Sequence, residues 1–109
     1  MPVSDGTHNV YVVELDPAVL EDKRFRAENL ECDEEKACFY VGMTGLTPEE
    51  RFENHKADHK ANKYVRDYGR YLRRRLYSKY NPMSYEDAVR MEVELAQKLR
   101  AKGHAVWQR

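Results

Sequence analysis

The chain has 109 residues, 41% apolar and 35% charged, with nineteen basic and nineteen acidic side chains and a formal net charge of zero. That length suits one domain with one core, burying roughly 60–70% of its unfolded surface, and excludes a second folded unit within it. No apolar run reaches the length of a membrane span, and Asp5 and His8 interrupt the start before any signal-peptide pattern can form, so the expectation is a soluble, cytoplasmic protein with no membrane partner.

In chain order, Asn9 to Leu15 alternates, with Tyr11, Val13 and Leu15 on one side and Val10, Val12 and Glu14 on the other, and predicts the first strand. Asp16-Pro17 ends it. Residues Pro17 to Asn29 can hold a short charged helix inside a long acidic connection, Asp16 to Lys36. Ala37 to Gly42 predicts the second strand, antiparallel to the first because the connection lacks the amphipathic helix of a parallel crossover.

Thr47-Pro48-Glu49-Glu50 then reads as a helix start: threonine caps, proline suits the first helical position, and Glu50 closes a capping box. This helix is expected to run to about Lys60, with Arg51 in its first turn and His55 one turn later on the same face. Asn62 to Gly69 predicts a basic turn or short helix, and Tyr71 to Tyr77 a third strand. After the Asn81-Pro82 break, Ser84 caps a second long helix in which Ala88, Met91, Leu95 and Leu99 recur at helical spacing. Gly103 ends it, and His104 to Trp107 reads as a last strand or extended tail.

Glu92 is the most informative position. Its neighbours three and four residues away are Ala88, Val89, Leu95 and Ala96, all apolar, so it falls on the buried face of that helix. A carboxylate there needs a cation or hydrogen-bond donors, and a hard divalent ion at a partly open site supplies that need, as does an arginine. Glu94, among Arg90, Met91, Gln97 and Lys98, belongs to the solvated side. Arg51 stands near a helix N-terminus, where its planar guanidinium can hold a phosphate on two prongs. His55 suits the positioning of water or phosphate, or proton transfer. Tyr11 and Tyr40, two of eight tyrosines, can half-bury a phenol while offering the hydroxyl to a cleft. Gly42 permits a turn or a close backbone approach.

Cys32 and Cys38 are expected as reduced thiols, since nothing marks the chain for secretion. With His55 and His59 they make a nominal zinc set, but five residues separate the cysteines and the histidines fall inside a helix, so zinc is not expected.

Zero net charge conceals segregation. Residues 1–55 carry thirteen acids against five bases, whereas residues 56–80 carry nine bases against two acids. The basic set is Lys56, Lys60, Lys63, Arg66, Arg70, Arg73, Arg74, Arg75 and Lys79, interleaved with five tyrosines. Such a run is either a solvated surface or a nucleic-acid interface, with cations for phosphates and phenols for stacking.

Taken together, Asn9-Val10-Tyr11, Tyr40-Val41-Gly42, Arg51 and His55 in Glu50-Arg51-Phe52-Glu53-Asn54-His55, and Glu92 in Ala88-Val89-Arg90-Met91-Glu92 resemble the GIY-YIG nuclease superfamily over about residues 8–107. Asn9 stands in place of the first signature glycine, Met43 in place of a lysine found in excision-repair members, and no asparagine after Glu92 answers the one common in the family. The resemblance implies an α+β fold, a small three-stranded antiparallel sheet flanked by helices. It also implies a metal-dependent endonuclease acting on nucleic acid, with DNA expected: Glu92 holding one Mg2+ or Mn2+ ion, Arg51 stabilising the phosphate, and Tyr11, Tyr40 and His55 orienting or deprotonating water. Many relatives add a recognition domain, so this chain is expected to act on a DNA structure or through a protein partner. A non-catalytic nucleic-acid- or protein-binding module on the same scaffold is the competing expectation.

Overall fold

The computed structural model describes residues 6–109; Asp5 and the rest of the first five lie outside the described residues. The elements are β1 (Asn9–Leu15), a 3-10 turn (Pro17–Glu21), α1 (Lys23–Ala27), β2 (Cys38–Thr44), α2 (Pro48–Lys56), α3 (Lys63–Tyr68), β3 (Gly69–Leu72), two further 3-10 turns (Arg74–Leu76 and Ser78–Tyr80), α4 (Tyr85–Ala101) and β4 (Ala105–Gln108). No helix among them is long and apolar enough to cross a membrane.

The fold is α+β, but the sheet has four strands in the order β3-β1-β2-β4 and is mixed rather than three-stranded and antiparallel. β1 pairs antiparallel with β2, Tyr11 opposite Gly42 and Val13 opposite Tyr40. β4 adds parallel to β2, Tyr40 opposite Trp107 and Val41 opposite Gln108. The tail forms a strand because α4 serves as the crossover that a parallel pair requires. β1 is central and buried on both sides: Val10 and Val12 are as inaccessible as Tyr11 and Val13, and only Glu14 among the opposite set is partly open. Helices α2 and α3 pack against β1 and β3, and α4 packs against β4, β2 and β1.

The capping reading at α2 is realised in full, with the Thr47 side chain accepting from the Glu50 N–H and the Glu50 carboxylate accepting from the Thr47 N–H. The helix stops at Lys56, short of Lys60, because Asp58 and Lys60 take left-handed backbone conformations (φ 62° and 50°). Ser84 caps α4 through the Asp87 N–H, and Gly103 at φ 98° ends the following turn. The third strand lies earlier than the aromatic content predicted, at Gly69–Leu72. The run Arg73-Arg74-Arg75 coils into a 3-10 turn, with Leu76 N–H closing on the Arg73 carbonyl. The turn lets Arg73 meet Glu14 and Arg74 meet Glu49, while Arg75 stays exposed.

Two asparagines finish the sheet. Asn81 pairs with both backbone groups of Val10 through its side-chain amide, at 2.8 and 2.9 Å. Asn29, 5% exposed, does the same for Val106 at 2.8 and 3.1 Å and donates also to Phe25 O. Each imitates a neighbouring strand where the ladder stops, which satisfies edge groups and closes the edge to further pairing. Cys32 and Cys38 are free thiols, and burial pushes Cys38 up to about 11.

Candidate active site

Of the five residues singled out from the sequence, Tyr11, Tyr40 and His55 touch, and Arg51 and Glu92 lie near enough for their charges to act on the two phenols. β1 brings Tyr11 and β2 brings Tyr40, with ring centroids 6.0 Å apart. α2 sets His55 against both, 6.1 Å from the Tyr11 ring and 5.7 Å from the Tyr40 ring, so the three rings form a near-equilateral triangle. Gly42 is what lets the rings meet. A Cβ at that position would lie 2.7 Å from Tyr11 Oη and 2.9 Å from the Tyr40 ring, so only glycine admits both phenols.

His55 is wholly buried, and both of its nitrogens are engaged. Its Nδ1 accepts from the Asn62 N–H at 3.0 Å, so in the neutral ring the proton sits on Nε2, which lies 2.9 Å from Tyr11 Oη and donates to it. Burial, with help from the nearby Arg51 charge, holds the imidazole down to about 4, so it is neutral at physiological pH. This narrows the sequence reading. A closed-off imidazole whose Nε2 already carries a proton orients Tyr11, and has no free face for water or phosphate.

Because Tyr11 Oη accepts from His55, its own proton is directed toward Tyr40; packed between the sheet and α2, Tyr11 is wholly buried, not half-buried with its hydroxyl in a cleft as expected. Burial is the main reason both phenols are held above their ordinary range; their mutual interaction keeps the proton on Tyr11 and eases Tyr40 toward ionisation. The Arg51 charge favours ionisation of both, and the Glu92 charge opposes it. Tyr11, Tyr40, Arg51, His55 and Glu92 thus belong to one electrostatic neighbourhood.

Glu92 is 5% exposed, on the apolar face of α4 as its spacing required, while Glu94 is open to solvent. Burial raises its carboxyl above the usual range, opposed by Gln108 and Arg109. Oε1 accepts from Gln108 Nε2 at 3.1 Å. Oε2 has Arg109 Nη1 at 3.8 Å, too far for a hydrogen bond, and is buried with no donor. An orphaned carboxylate oxygen in a closed setting is the donor a divalent cation uses. Among the described residues no group of three or more His, Cys, Asp or Glu side chains is placed to hold an ion, and Glu92 Oε2 is the carboxylate oxygen left open to one. Such a donor fits Mg2+ or Mn2+, which retain waters and complete their shell with substrate phosphate oxygens.

Arg51 is half-buried and points partly away: Nη2 donates to the Lys60 carbonyl at 3.0 Å, with the His59 carbonyl 3.5 Å from Nη1. Sequence reasoning missed Gln108 and Arg109. Both stand on or just after a strand whose side-chain directions depend on the parallel pairing with β2, and neither bore a motif.

The basic segment is brought onto the surface, but largely neutralised. Arg66 pairs with Asp58 and Asp67, Arg70 with Asp16, Arg73 with Glu14, Arg74 with Glu49, and Lys63 with Asp22. Lys56 donates to the Arg66 and Gly69 carbonyls. Among the described residues, Lys60, Arg75 and Lys79 have no carboxylate in reach and are exposed. Hollows of about 580 and 430 Å³ lie elsewhere, one beside Tyr80, Met91 and Leu95, the other beside Asn29, Cys32 and His104. Neither is lined by the tyrosine cluster.

No protein-family model matches the chain, and neither a curated protein nor a solved structure matches it.

Proposed function

We propose that this chain is an endonuclease of the GIY-YIG type, hydrolysing phosphodiester bonds in nucleic acid, DNA first among them, with one Mg2+ or Mn2+ ion. The observation that carries this reading is the donorless Glu92 Oε2, buried in the same electrostatic neighbourhood as two phenols, a neutral histidine and an arginine. When bound, an ion of this kind polarises a phosphate oxygen and favours ionisation of water and of groups beside it. Glu92 would hold it through Oε2. Arg51 exchanges the Lys60 carbonyl for a phosphate oxygen and offsets the charge that grows there during attack. Tyr40, which burial holds protonated at rest, would give up its own proton to the medium once a cation is bound beside it, and would then, as phenolate, take the proton of the attacking water. Tyr11, fixed as acceptor by His55, keeps its own proton aimed at that neighbour. A polymer lying across a shallow surface needs no enclosed pocket, and the unpaired Lys60, Arg75 and Lys79 offer phosphate contacts along it.

The test is cleavage of labelled duplex, single-stranded, flap and branched DNAs with Mg2+ or Mn2+, beside Glu92→Gln. Metal-dependent nicking lost in the variant supports the nuclease. One observation favours the alternative of a non-catalytic binding module, with nucleic acid or a protein as partner: Arg51 is committed to loop carbonyls rather than free. Salt-sensitive DNA binding with no nicking on any substrate would select that module.

A further inference from the structure

The carboxylate of Glu92 has two oxygens in different states, and β4 is the reason. The parallel register sets Gln108 opposite Val41, and the Arg109 N–H donates to the Val41 carbonyl at 3.1 Å, so Gln108 and Arg109 are both tied to the second strand. Gln108 thereby holds Oε1 at 3.1 Å. A carboxylate pinned on one oxygen has lost rotation about its last bond and presents the other oxygen in one direction. Arg109 behaves differently. Its guanidinium stands 3.8 Å from Oε2, close enough to offset the charge and too far to bond it, and its side chain is 58% exposed, so it can leave. Its charge also favours ionisation of Tyr40.

Resting on the nuclease reading above, we propose that Gln108 and Arg109 complete the active site. Gln108 is a positioning residue that aims Glu92 Oε2 at the cation. Arg109 is a phosphate-binding residue that guards Oε2 until the cation arrives and then turns to the phosphate of the bound strand. A divalent ion and a guanidinium compete for one oxygen, so removing Arg109 should strengthen metal binding while weakening binding of nucleic acid to the metal-loaded protein. A merely structural role for this side chain would not move the two in opposite directions.

The experiment measures Mn2+ binding by the electron paramagnetic resonance of the free ion, on the parent chain and on Glu92→Gln, Gln108→Met, Arg109→Ala and Arg109→Lys. The anisotropy of a fluorescent duplex is then followed immediately after mixing, with and without Mn2+. Gln108→Met should weaken Mn2+ binding on the order of tenfold, as loss of a side chain orienting a metal ligand does. Arg109→Ala should tighten it by about two- to fivefold, the scale of an exposed ion pair. The same variant should weaken duplex binding severalfold only when Mn2+ is present, and Arg109→Lys should return both toward the parent. Equal Mn2+ binding by the parent and Glu92→Gln would overturn the metal-site reading and this inference with it. Mn2+ binding that needs Glu92 but is unchanged in Gln108→Met and Arg109→Ala would overturn this inference alone.

Discussion

The tyrosine–histidine–glutamate cluster and the basic segment of residues 56–80 both drew attention from sequence, and the fold treats them in opposite ways. In the cluster, polar groups are taken out of water and left short of partners: Glu92 Oε2 has no donor, and the phenols are held above their ordinary range by burial. In the basic segment, cations meet carboxylates from the acidic half of the chain, Arg73 reaching Glu14 at 2.6 Å and Arg70 reaching Asp16 at 3.3 Å. The exposed pairs among them contribute little each, and several join distant parts of the chain. Desolvated groups with unmet needs mark where chemistry can occur, whereas satisfied surface charges mark where the chain is tied together.

The sharpest way to break this comparison is Glu92→Gln. Cleavage should fall by about 10³-fold, measured as nicking rate with saturating Mg2+. Stability should not fall with it. Burial raises the Glu92 pKa, so the fold binds this proton more tightly than the unfolded chain does. The carboxyl's contribution is therefore fully present below the unfolded-state pKa and is lost as pH rises through the folded one. Glutamine avoids that loss, so at pH 7 and without metal the variant should melt at the same temperature as the parent or higher. A lower melting temperature would make Glu92 a structural residue.

His55 should respond to acid with the opposite sign. Its folded pKa is depressed to about 4, so its stabilising contribution is present above the unfolded value near 6.5 and lost as pH falls from there to about 4. Up to about 3 kcal/mol should disappear across that window in denaturant titrations, and a His55→Gln variant should lack this component.

Gly42→Ala should separate geometry from folding. The added methyl meets Tyr11 Oη at 2.7 Å and must displace a ring, costing about 1–3 kcal/mol. Nicking should drop far more than that loss of fold explains, checked by comparing rate and melting temperature in one preparation.

The smallest effects should distinguish paired from unpaired cations. Arg73→Ala should cost about 1 kcal/mol of stability, since Glu14 is left partly buried without its partner. Its effect on DNA affinity should be slight. Arg75→Ala should leave stability within about 0.5 kcal/mol and reduce the salt slope of DNA binding by about 1. Equal effects of the two on binding would mean that the ion pairs open in the complex.

The site was more legible than the sheet. Glu92 could be placed because helical spacing alone surrounds it with apolar neighbours, and α2 could be placed because its caps are local. His55 could be assigned to the cluster but not to its tautomer, which the Asn62 N–H decides from across a loop. Asn29 and Asn81 bore no signal, since an asparagine in a connection reads as a turn residue until the strand end that it caps is seen. The ion pairs of the 56–80 segment were not legible because charge was read along the chain, while acids far off in sequence meet several of those bases in space.

By itself, then, the sequence determined an α+β class, its two main helices with their starts, the two tyrosine strands and the burial of Glu92. These follow from interactions spanning a few residues: caps, hydrophobic period and turn chemistry; the grouping of Tyr11, Tyr40, Arg51, His55 and Glu92 came instead from the family resemblance. Tertiary structure alone decided that the tail joins β2 as a parallel fourth strand, that Gln108 and Arg109 reach Glu92, and that the basic segment is largely neutralised. Each of those depends on contacts between groups from 16 to 67 residues apart, and no local pattern encodes which distant partner a strand edge or a guanidinium will meet.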